Sequence, residues 1–467
     1  MASTQANCAY FDNMKEIGIK HKHMFWIFSV CYFFDMMDMN LFGSLGASVQ
    51  ATFALTNEQV SQLSSLSFYG MFFGGLLGGW MADKIGRKKA LLYNVLIFSL
   101  ASLGNAVFSN YYLFAFCRFM TGFGIIGMNI VAMVYVAEMM PAHSRGKYQG
   151  LMAALGSLGV PFGIILSAII VPRSPEAWRL MFLMGGIGFL LFPIGIKWLY
   201  ESPRWLVSKG RIDEADKIVE TMSGMPSNLA AAVGTHCAEE KVGMLETLQF
   251  LFSKKQVGST IALAVMAIGC VVGGFYVANW TTVLLVQMGF DLQMILSFAM
   301  LGMVGAPLGD WISSKISDMG GRKTPITVML FLATALCLIN GLTPTLFQGA
   351  AVALAAYFIT GLLRAACATS ATTMYWTYLA ENLPNRYRST GTGLIMSASR
   401  LLIGVVTPTV PMLFAMQGPV AGNGMFNVMA MNAVFYLIPA IICLLWGSKT
   451  AQKSLEQIEA ETAEARK

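Results

Sequence analysis

The sequence predicts an all-α membrane protein of twelve transmembrane helices, arranged as two pseudo-symmetric six-helix bundles. Hydrophobic residues make up 56% of the 467 residues and charged residues only 12%, which is more apolar side chain than a soluble core can bury. About twelve stretches have the roughly 20 apolar residues that a membrane span needs, half of them on each side of a polar middle. Two strings of residues also occur twice, which indicates that one unit has been duplicated.

The repeated strings lie where apolar stretches end. The first string is Tyr135, Ala137, Glu138, Pro141 and Arg145, which recurs as Tyr378, Ala380, Glu381, Pro384 and Arg388. The second is Asp83, Gly86, Arg87 and Lys88, which recurs as Asp318, Gly321, Arg322 and Lys323. The offsets of 243 and 235 residues differ by a loop insertion. Paired membrane bundles around a midplane site are typical of transporters.

The spans follow from the apolar stretches in order. The first six are predicted at residues 24–48, 63–82, 89–108, 112–136, 148–171 and 179–200. The second six are predicted at residues 257–286, 292–313, 324–342, 349–377, 390–414 and 426–446. The domains are then a cytoplasmic segment (1–23), the N-terminal bundle (24–200), a charged linker with short amphipathic helices (201–256), the C-terminal bundle (257–447) and a cytoplasmic tail (448–467).

The net charge of +7 is explained by topology and not by nucleic-acid binding. Lysine and arginine are concentrated in alternate loops, whereas loops such as 51–59 and 341–348 carry none, with Arg173 as the exception. The positive-inside rule therefore places both termini in the cytoplasm. No cleavable signal peptide is predicted, and the short first outer loop favours a multi-pass protein of a bacterial inner membrane.

The first span carries two carboxylates on one helix face, Asp35 and Asp38. Asp35 lies about eleven residues past the cytoplasmic boundary, which at roughly 1.5 Å per residue is near the midplane. A buried acid at that depth is costly and is a functional hypothesis by default. Burial and like-charge proximity both favour protonation, as a proton carrier needs. We expect Arg118 in the fourth span to be the countercharge; the alternative is an ion pair that only orders the bundle.

Several motifs together resemble the major facilitator superfamily over essentially the whole chain. They are the string Gly79, Asp83, Lys84, Gly86, Arg87, Lys88, which we interpret as a loop with a tight turn; Arg118 with Gly122, Gly124 and Gly127; Gly156, Gly159, Pro161 and Gly163; and Glu201-Ser202-Pro203-Arg204-Trp205. The resemblance implies a conformational gate on the cytoplasmic side. Its members would be Gly79, Asp83, Gly86, Arg87, Glu138, Arg145, Asp318, Arg322, Glu381 and Arg388.

The first-helix acids resemble the pattern of aromatic acid:proton and wider metabolite:proton symporters, although Met36 and Met37 replace the usual glycine and aromatic residue. In such carriers the second bundle has arginines where Arg388 and Arg400 stand. Arg400 lies near the midplane and can hold a carboxylate in a bidentate pair, or alternatively bond backbone carbonyls. Further candidate substrate-binding residues are Tyr276, Asn279, Trp280, Asn129, Tyr375 and Arg364. For the aromatic residues the alternative role is packing, and for Arg364 it is pairing with a carbonyl.

The predicted function is proton-coupled uptake of a small organic acid or related metabolite by alternating access, with no enzymatic activity. Efflux by an antiporter of the same fold, uptake of a neutral sugar or nucleoside, and a receptor that binds without translocating remain alternatives. We expect a monomer driven by the proton gradient, without a cofactor. No nucleotide-binding loop is present, the eight cysteines fall mostly in spans, and the 33 methionines are scattered without a histidine in any span, so neither ATP nor a metal is expected.

Overall fold

A computed structural model describes residues 11, 14, 17–141, 148, 151–152, 154–224, 229, 244–254, 256–317, 322–383, 388–416 and 424–447. These residues form helices and turns, with no strand among them. Residues 1–10, the loop that carries Arg145, the motif residue Asp318 and the predicted C-terminal tail lie outside them.

The described α-helices are short in the linker and have from seven to 35 residues in the predicted spans. The first half contains α1 (Ile19–Phe53), α2 (Asn57–Ile85), α3 (Arg87–Val107), α4 (Tyr111–Met139), α5 (Gly159–Ile170), α6 (Trp178–Gly186) and α7 (Leu191–Trp198). The linker contains α8 (Pro203–Ser208), α9 (Ile212–Ser223) and α10 (Met244–Leu251). The second half contains α11 (Val257–Phe275), α12 (Thr281–Gln287), α13 (Leu292–Ala299), α14 (Gly305–Ile316), α15 (Lys323–Leu346), α16 (Ala350–Glu381), α17 (Arg388–Val406), α18 (Thr409–Ala415) and α19 (Gly424–Trp446).

Ten helical segments of the described residues are long and apolar enough to cross a membrane. They are Arg87–Val107, Tyr111–Val136, Ala154–Arg173, Trp178–Trp198, Val257–Phe275, Leu292–Ile316, Lys323–Leu346, Ala350–Leu379, Thr390–Ala415 and Gly424–Trp446. Helices α1 and α2, with 35 and 29 residues, occupy the first two predicted spans and carry more polar residues. The all-α, twelve-helix fold class is confirmed.

The chain forms two compact units. Unit 1 contains Met1–Met39, Gly70–Phe162 and Arg179–Lys241. In it α3 packs along α4, and α2 approaches α4 so closely that a Cβ added at Gly74 would lie 2.1 Å from the Phe123 carbonyl oxygen. A core at one end joins the N-terminal segment to the linker and to the end of α4. It includes Phe11, Met14, Met139, Met140, Trp205, Ala215, Val219 and Met222.

Unit 2 contains Asn40–Tyr69, Gly163–Trp178 and Val242–Lys467. Within it α15 packs against α16 and α19, α11 packs against α17 and α19, and α14 packs against α16. The last third of α1 also belongs to this unit. A Cβ added at Gly43 would lie 2.6 Å from the Ala278 carbonyl oxygen, and the Thr282 hydroxyl donates to the Gly43 carbonyl at 2.7 Å.

The predicted loop from Gly79 to Lys88 is wrong in extent. Gly79 lies inside α2, and an added Cβ there would meet nothing within 4 Å. The connection between α2 and α3 is the single residue Gly86, whose φ of +99° is readily adopted only by glycine. Asp83 and Lys84 therefore end one helix, and Arg87 and Lys88 begin the next. This short connection orients the charged side chains by helix geometry and not by a loop.

The seventh and eleventh predicted spans are each interrupted. The seventh is split by turns from Tyr276 to Trp280, between α11 and α12. The eleventh is split at Thr407 and Pro408, between α17 and α18. The predicted spans at residues 257–286 and 390–414 thus each contain a break between two α-helices. Apolar composition predicts that a segment is buried, but it does not reveal where a helix changes direction.

Candidate functional site

The two acids of α1 lie in a buried polar cluster inside unit 1. Asp35 and Asp38 expose 0% and 1% of their surface. Ser102 of α3 donates to Asp38 Oδ1 at 3.2 Å, and Arg118 Nη1 of α4 lies 3.9 Å from Asp38 Oδ2. Asn129 of α4 donates to Asp35 Oδ2 at 3.0 Å. We call Asp35, Asp38, Ser102, Arg118 and Asn129 the acid cluster.

The two carboxylates of the acid cluster have different kinds of partner. Asp38 faces a cation, while Asp35 is bonded to a neutral amide. The 3.9 Å separation between Asp38 and Arg118 is longer than the 2.7–2.9 Å of a charge-assisted hydrogen bond. Breaking this pair therefore loses a Coulombic contact but no short hydrogen bond. The guanidinium of Arg118 also lies 5.7 Å from the Phe182 ring centroid, which stabilises its charge.

Two members of this region were missed from the sequence. Ser102 is a small polar residue in an apolar span, which is a weak signal because serine is common in membrane helices. Gly185 of α6 closes the cluster, since an added Cβ would lie 2.4 Å from Ser102 Oγ and 3.1 Å from Asp38 Oδ1. No sequence pattern shows that this glycine faces Asp38. It is required because a side chain there would displace the serine.

Four candidate substrate residues of unit 2 lie in or near the helix breaks. Tyr276, Asn279 and Trp280 all lie in the break of the seventh span and are buried. The Tyr276 hydroxyl shares a 2.6 Å hydrogen bond with Thr409 Oγ1, the first residue of α18, so the two breaks are joined. Arg400 of α17 stacks its guanidinium 5.3 Å from the ring centroid of Phe275, the residue before the break. Interrupted helices at such positions mark binding sites in many transporters.

Three other candidate residues have different neighbours. Asn129 belongs to the acid cluster of unit 1. The Tyr375 hydroxyl donates to the Leu263 carbonyl at 2.6 Å and so ties α16 to α11. Arg364 donates from Nη1 to the Tyr436 hydroxyl of α19 at 3.3 Å. Substrate contact by these three residues stays a prediction.

The gate residues that the structure describes form two clusters. In the first gate cluster, Arg87 binds Glu138 through two hydrogen bonds of 3.0 and 2.9 Å and contacts Asp83 at 3.0 Å. In the second gate cluster, Arg322 lies 3.2 Å from Glu381. Arg145, Asp318 and the side chain of Arg388 lie outside the described residues. Both repeats therefore join the start of one helix to the end of another by an arginine and a glutamate.

The end-of-bundle motif contributes residues that the sequence analysis did not assign to the gate. Glu201 Oε1 accepts from the backbone N–H groups of Arg87 and Lys88 at 2.7 and 3.1 Å, so it caps α3. Ser202 donates its hydroxyl to Glu138, and Trp205 Nε1 donates to the Asp83 carbonyl at 2.9 Å. The motif itself was visible; its contact with the repeated string was not.

Comparison with known proteins establishes the family. The model of the Major Facilitator Superfamily matches residues 28–408. The chain belongs to this superfamily. It is 31% identical over 398 residues to YyaJ of Bacillus subtilis, which is named for metabolite transport; the match covers 83% of this chain and 86% of that one. It is 27% identical over 447 residues to the niacin transporter NiaP of Acinetobacter baylyi, covering 95% and 97%.

Solved structures agree in fold. The inward open conformation of the xylose transporter XylE from E. coli superposes with a TM-score of 0.74 at 19% identity, covering 94% of this chain and 99% of that one. A bacterial homologue of the lysosomal transporter Spinster, in an inward-facing conformation, gives a TM-score of 0.69 at 14% identity, covering 96% and 99%. Family and fold together make the chain a multi-pass membrane transporter and not an enzyme.

Proposed function

We propose that this transporter is a proton-coupled symporter that imports a small organic acid by alternating access, with the proton gradient as its energy source and no cofactor. The observation that carries the proposal is the buried contact between Asp38 and Arg118. Two charges out of water are held together mainly by their attraction, so neutralising one removes the reason for the other to stay. The xylose-proton symporter among the similar structures supports proton coupling by analogy of fold.

The chemistry at the acid cluster is a single proton transfer. A proton from water binds the Asp38 carboxylate, which becomes a neutral acid, and Arg118 loses its countercharge. The Ser102 hydroxyl keeps its hydrogen bond to Asp38 through this step, because a protonated carboxyl group still accepts. The Asn129 amide bonds Asp35, which this step leaves unchanged. The free energy of packing between α1 and α4 thus depends on whether Asp38 is protonated. We infer that this dependence couples proton uptake to movement between the two access states.

The substrate class follows from Arg400. Arg400 lies over the Phe275 ring, and the guanidinium of an arginine can hold a carboxylate by a planar, two-point contact. The niacin transporter NiaP supports this class, since niacin is a carboxylic acid. Tyr276, Asn279 and Trp280 would supply the apolar and hydrogen-bonding walls of the same site. The gate clusters act on conformation and not on the substrate.

Transport of niacin into proteoliposomes tests the proposal, with nicotinamide as the neutral isostere. Wild-type protein should accumulate niacin when an inward proton gradient is imposed. Asp38→Asn should lose at least about tenfold of that accumulation, a change of about 1.4 kcal/mol, yet retain niacin counterflow. Asp213→Asn, an exposed linker residue, is the matched control and should behave as the parent. If Asp35→Asn/Asp38→Asn protein still accumulates niacin like the parent, proton coupling through these acids is wrong.

Arg400→Gln separates an anionic from a neutral substrate. It should weaken niacin binding by at least about tenfold while leaving any nicotinamide binding nearly unchanged, because only the carboxylate needs the guanidinium. Equal loss for both compounds would contradict a carboxylate contact. Niacin release from loaded proteoliposomes under the same inward proton gradient, without uptake, would instead favour the efflux alternative.

A further inference from the structure

An acid in the eighth span has no part in the mechanism above. Asp310 lies in α14, within the span Leu292–Ile316, and its side chain is exposed. The Thr373 hydroxyl of α16 donates to Asp310 Oδ1 at 2.7 Å. Both residues belong to unit 2. Among the described residues Thr373 is the hydrogen-bond donor to this carboxylate, and no lysine or arginine of the described chain forms an ion pair with it.

The surroundings of Asp310 on two neighbouring helices consist of small and hydroxyl-bearing residues. Positions four apart share a face of a helix, so Asp310 lies between Ala306 and Ser314, both of which are exposed. By the same rule Thr373 lies between Thr369 and Thr377 on α16. The hydrogen bond joins these two faces. We call the pair of faces the hydroxyl groove.

A neighbouring face of α14 is different in chemistry. It presents Trp311 and, one residue before α14 begins, Val304, with 62% and 58% of their surface exposed. These large apolar side chains suit contact with lipid. A carboxylate facing hydrocarbon would be costly, and membrane acids almost always face a cavity or the bundle interior. We therefore assign the hydroxyl groove to a water-filled side of the span, and the face of Val304 and Trp311 to the lipid side.

Close packing fixes the carboxylate beside its donor. A Cβ added at Gly309, the residue before Asp310, would lie 2.4 Å from the Ala366 carbonyl oxygen of α16. A Cβ added at Gly305 would lie 2.9 Å from the Leu362 carbonyl oxygen. The two helices are thus in backbone contact along the turn that carries Asp310. The Asp310–Thr373 bond is held by this contact and is not a chance meeting of flexible side chains.

Asp310 and Arg400 lie at different depths along their membrane spans. Asp310 lies six residues before the end of α14, about 9 Å from the predicted cytoplasmic end, whereas Arg400 lies twelve residues into α17, about 18 Å from that end. We propose that Asp310, held by Thr373, is a second proton-binding site that exchanges with cytoplasmic water, an inference that rests on the proposed symport. The carboxylate takes one proton from water and returns it to water, and no other bond changes.

A proton fits the site better than a metal cation. Ca²⁺ takes six to eight oxygen ligands and Mg²⁺ demands near-ideal octahedral coordination. The described contacts supply one carboxylate with one hydroxyl that is already donating to it. A proton needs only a free carboxylate oxygen. The hydroxyl donates to the charged carboxylate and also to the carbonyl oxygen of the protonated acid, so it serves both states.

Infrared difference spectroscopy of purified protein in lipid nanodiscs, titrated with acid, tests the inference without a substrate. Wild-type protein should show the carbonyl stretch of a carboxylic acid as the pH falls. Asp310→Asn should lose one such band, and Thr373→Val should move that band to higher frequency, because the carbonyl loses its hydrogen bond. Asp310→Glu, which keeps the acid, should restore a band and guards against misfolding of the asparagine variant. Asp213→Asn is the control and should change no band that Asp310→Asn removes.

The outcomes distinguish this site from the proposed function. If the Asp310→Asn and wild-type spectra are the same, the second site is wrong, whatever the transport assays show. If Asp310→Asn loses the band but Asp35→Asn/Asp38→Asn protein still accumulates niacin, the acid cluster mechanism fails while proton binding at Asp310 stands. If Asp310→Asn removes the band but Thr373→Val leaves its frequency unchanged, the role of the Thr373 hydroxyl is wrong. Bands in the wild type that respond to sodium at fixed pH would contradict a proton site.

Discussion

The two gate clusters derive from one repeated sequence, yet among the described residues their arginines are buried to different extents. Arg87 binds Glu138 by two parallel hydrogen bonds and also contacts Asp83. Arg322 meets Glu381 by an ion pair of 3.2 Å. Glu138 and Glu381 have similar exposure, 14% and 15%, whereas the arginines differ, at 7% and 17%. The difference therefore lies in the burial of the arginines: Arg87 of the first copy is more deeply buried than Arg322 of the second.

The linker explains much of this asymmetry. Glu201, Ser202 and Trp205 follow the first bundle and add hydrogen bonds to the first gate cluster and to the start of α3. Helix α9 and the N-terminal segment then cover the same end with an apolar core. The duplicated sequence thus forms two similar gate clusters, and the linker between the copies adds contacts to the first of them. Four changes test this comparison.

Removing each glutamate should give the largest difference. Glu138→Ala leaves Arg87 buried without its two-point partner, and breaking a buried ion pair costs about 3–5 kcal/mol. Glu381→Ala should cost less, about 1–2 kcal/mol, because Arg322 is more exposed and water replaces part of the loss. Denaturant unfolding in detergent micelles measures both. Equal losses would show that the two gate clusters are equivalent.

The turn of the first copy should be the next most sensitive. Gly86→Ala places a side chain at a φ of +99° and a Cβ 2.3 Å from Glu201 Oε2, so we expect a loss of about 2–3 kcal/mol. Gly210→Ala is the matched control, since φ is +74° there but nothing lies within 4 Å of an added Cβ. It should cost only about 1 kcal/mol from the backbone. The same unfolding assay separates strain from the clash with Glu201.

The stability of the apolar core that joins the N-terminal segment to the linker should depend on pH through His21, which precedes the first predicted span. Burial against Phe11 lowers the pKa of His21 from about 6.5 to about 4, with the Met139 backbone opposing the shift. A folded-state pKa below the unfolded value means that stability is complete above pH 6.5 and is lost as the pH falls toward 4. At about pH 5 the loss should approach 2 kcal/mol. His21→Gln should flatten this part of the stability profile; an unchanged profile would contradict the assignment.

The smallest effect concerns Ser202. Ser202→Ala removes one hydrogen bond to Glu138 and a backbone contact at the start of α8, which should cost about 1 kcal/mol. A double-mutant cycle with Glu138→Gln should show a coupling of at least about 0.5 kcal/mol. A cycle with Glu381→Gln should be additive. Coupling to Glu381 but not to Glu138 would overturn the view that the linker supports the first copy.

Part of the candidate site was visible in the sequence because membrane insertion makes certain residues conspicuous. Asp35, Asp38 and Arg118 stand out since charge is rare in spans, and the structure places Asp38 beside Arg118. The same rule would have found Asp310, which was overlooked beside the stronger motif. Ser102 and Gly185 carry no such signal, because serine and glycine are ordinary in membrane helices. Their importance comes only from what they face.

The sequence by itself determined the membrane class, the twelve-helix fold and the duplication. The hydrocarbon core forces the backbone of each span into a helix, and each such helix is visible in the sequence as a long apolar stretch. The sequence also marked the charges that need partners. Only the tertiary structure decided which partner each charge has, where the seventh and eleventh spans break, and how the linker reinforces one gate cluster. Those contacts join residues far apart in the chain, and their energies depend on distances and burial that no local pattern encodes.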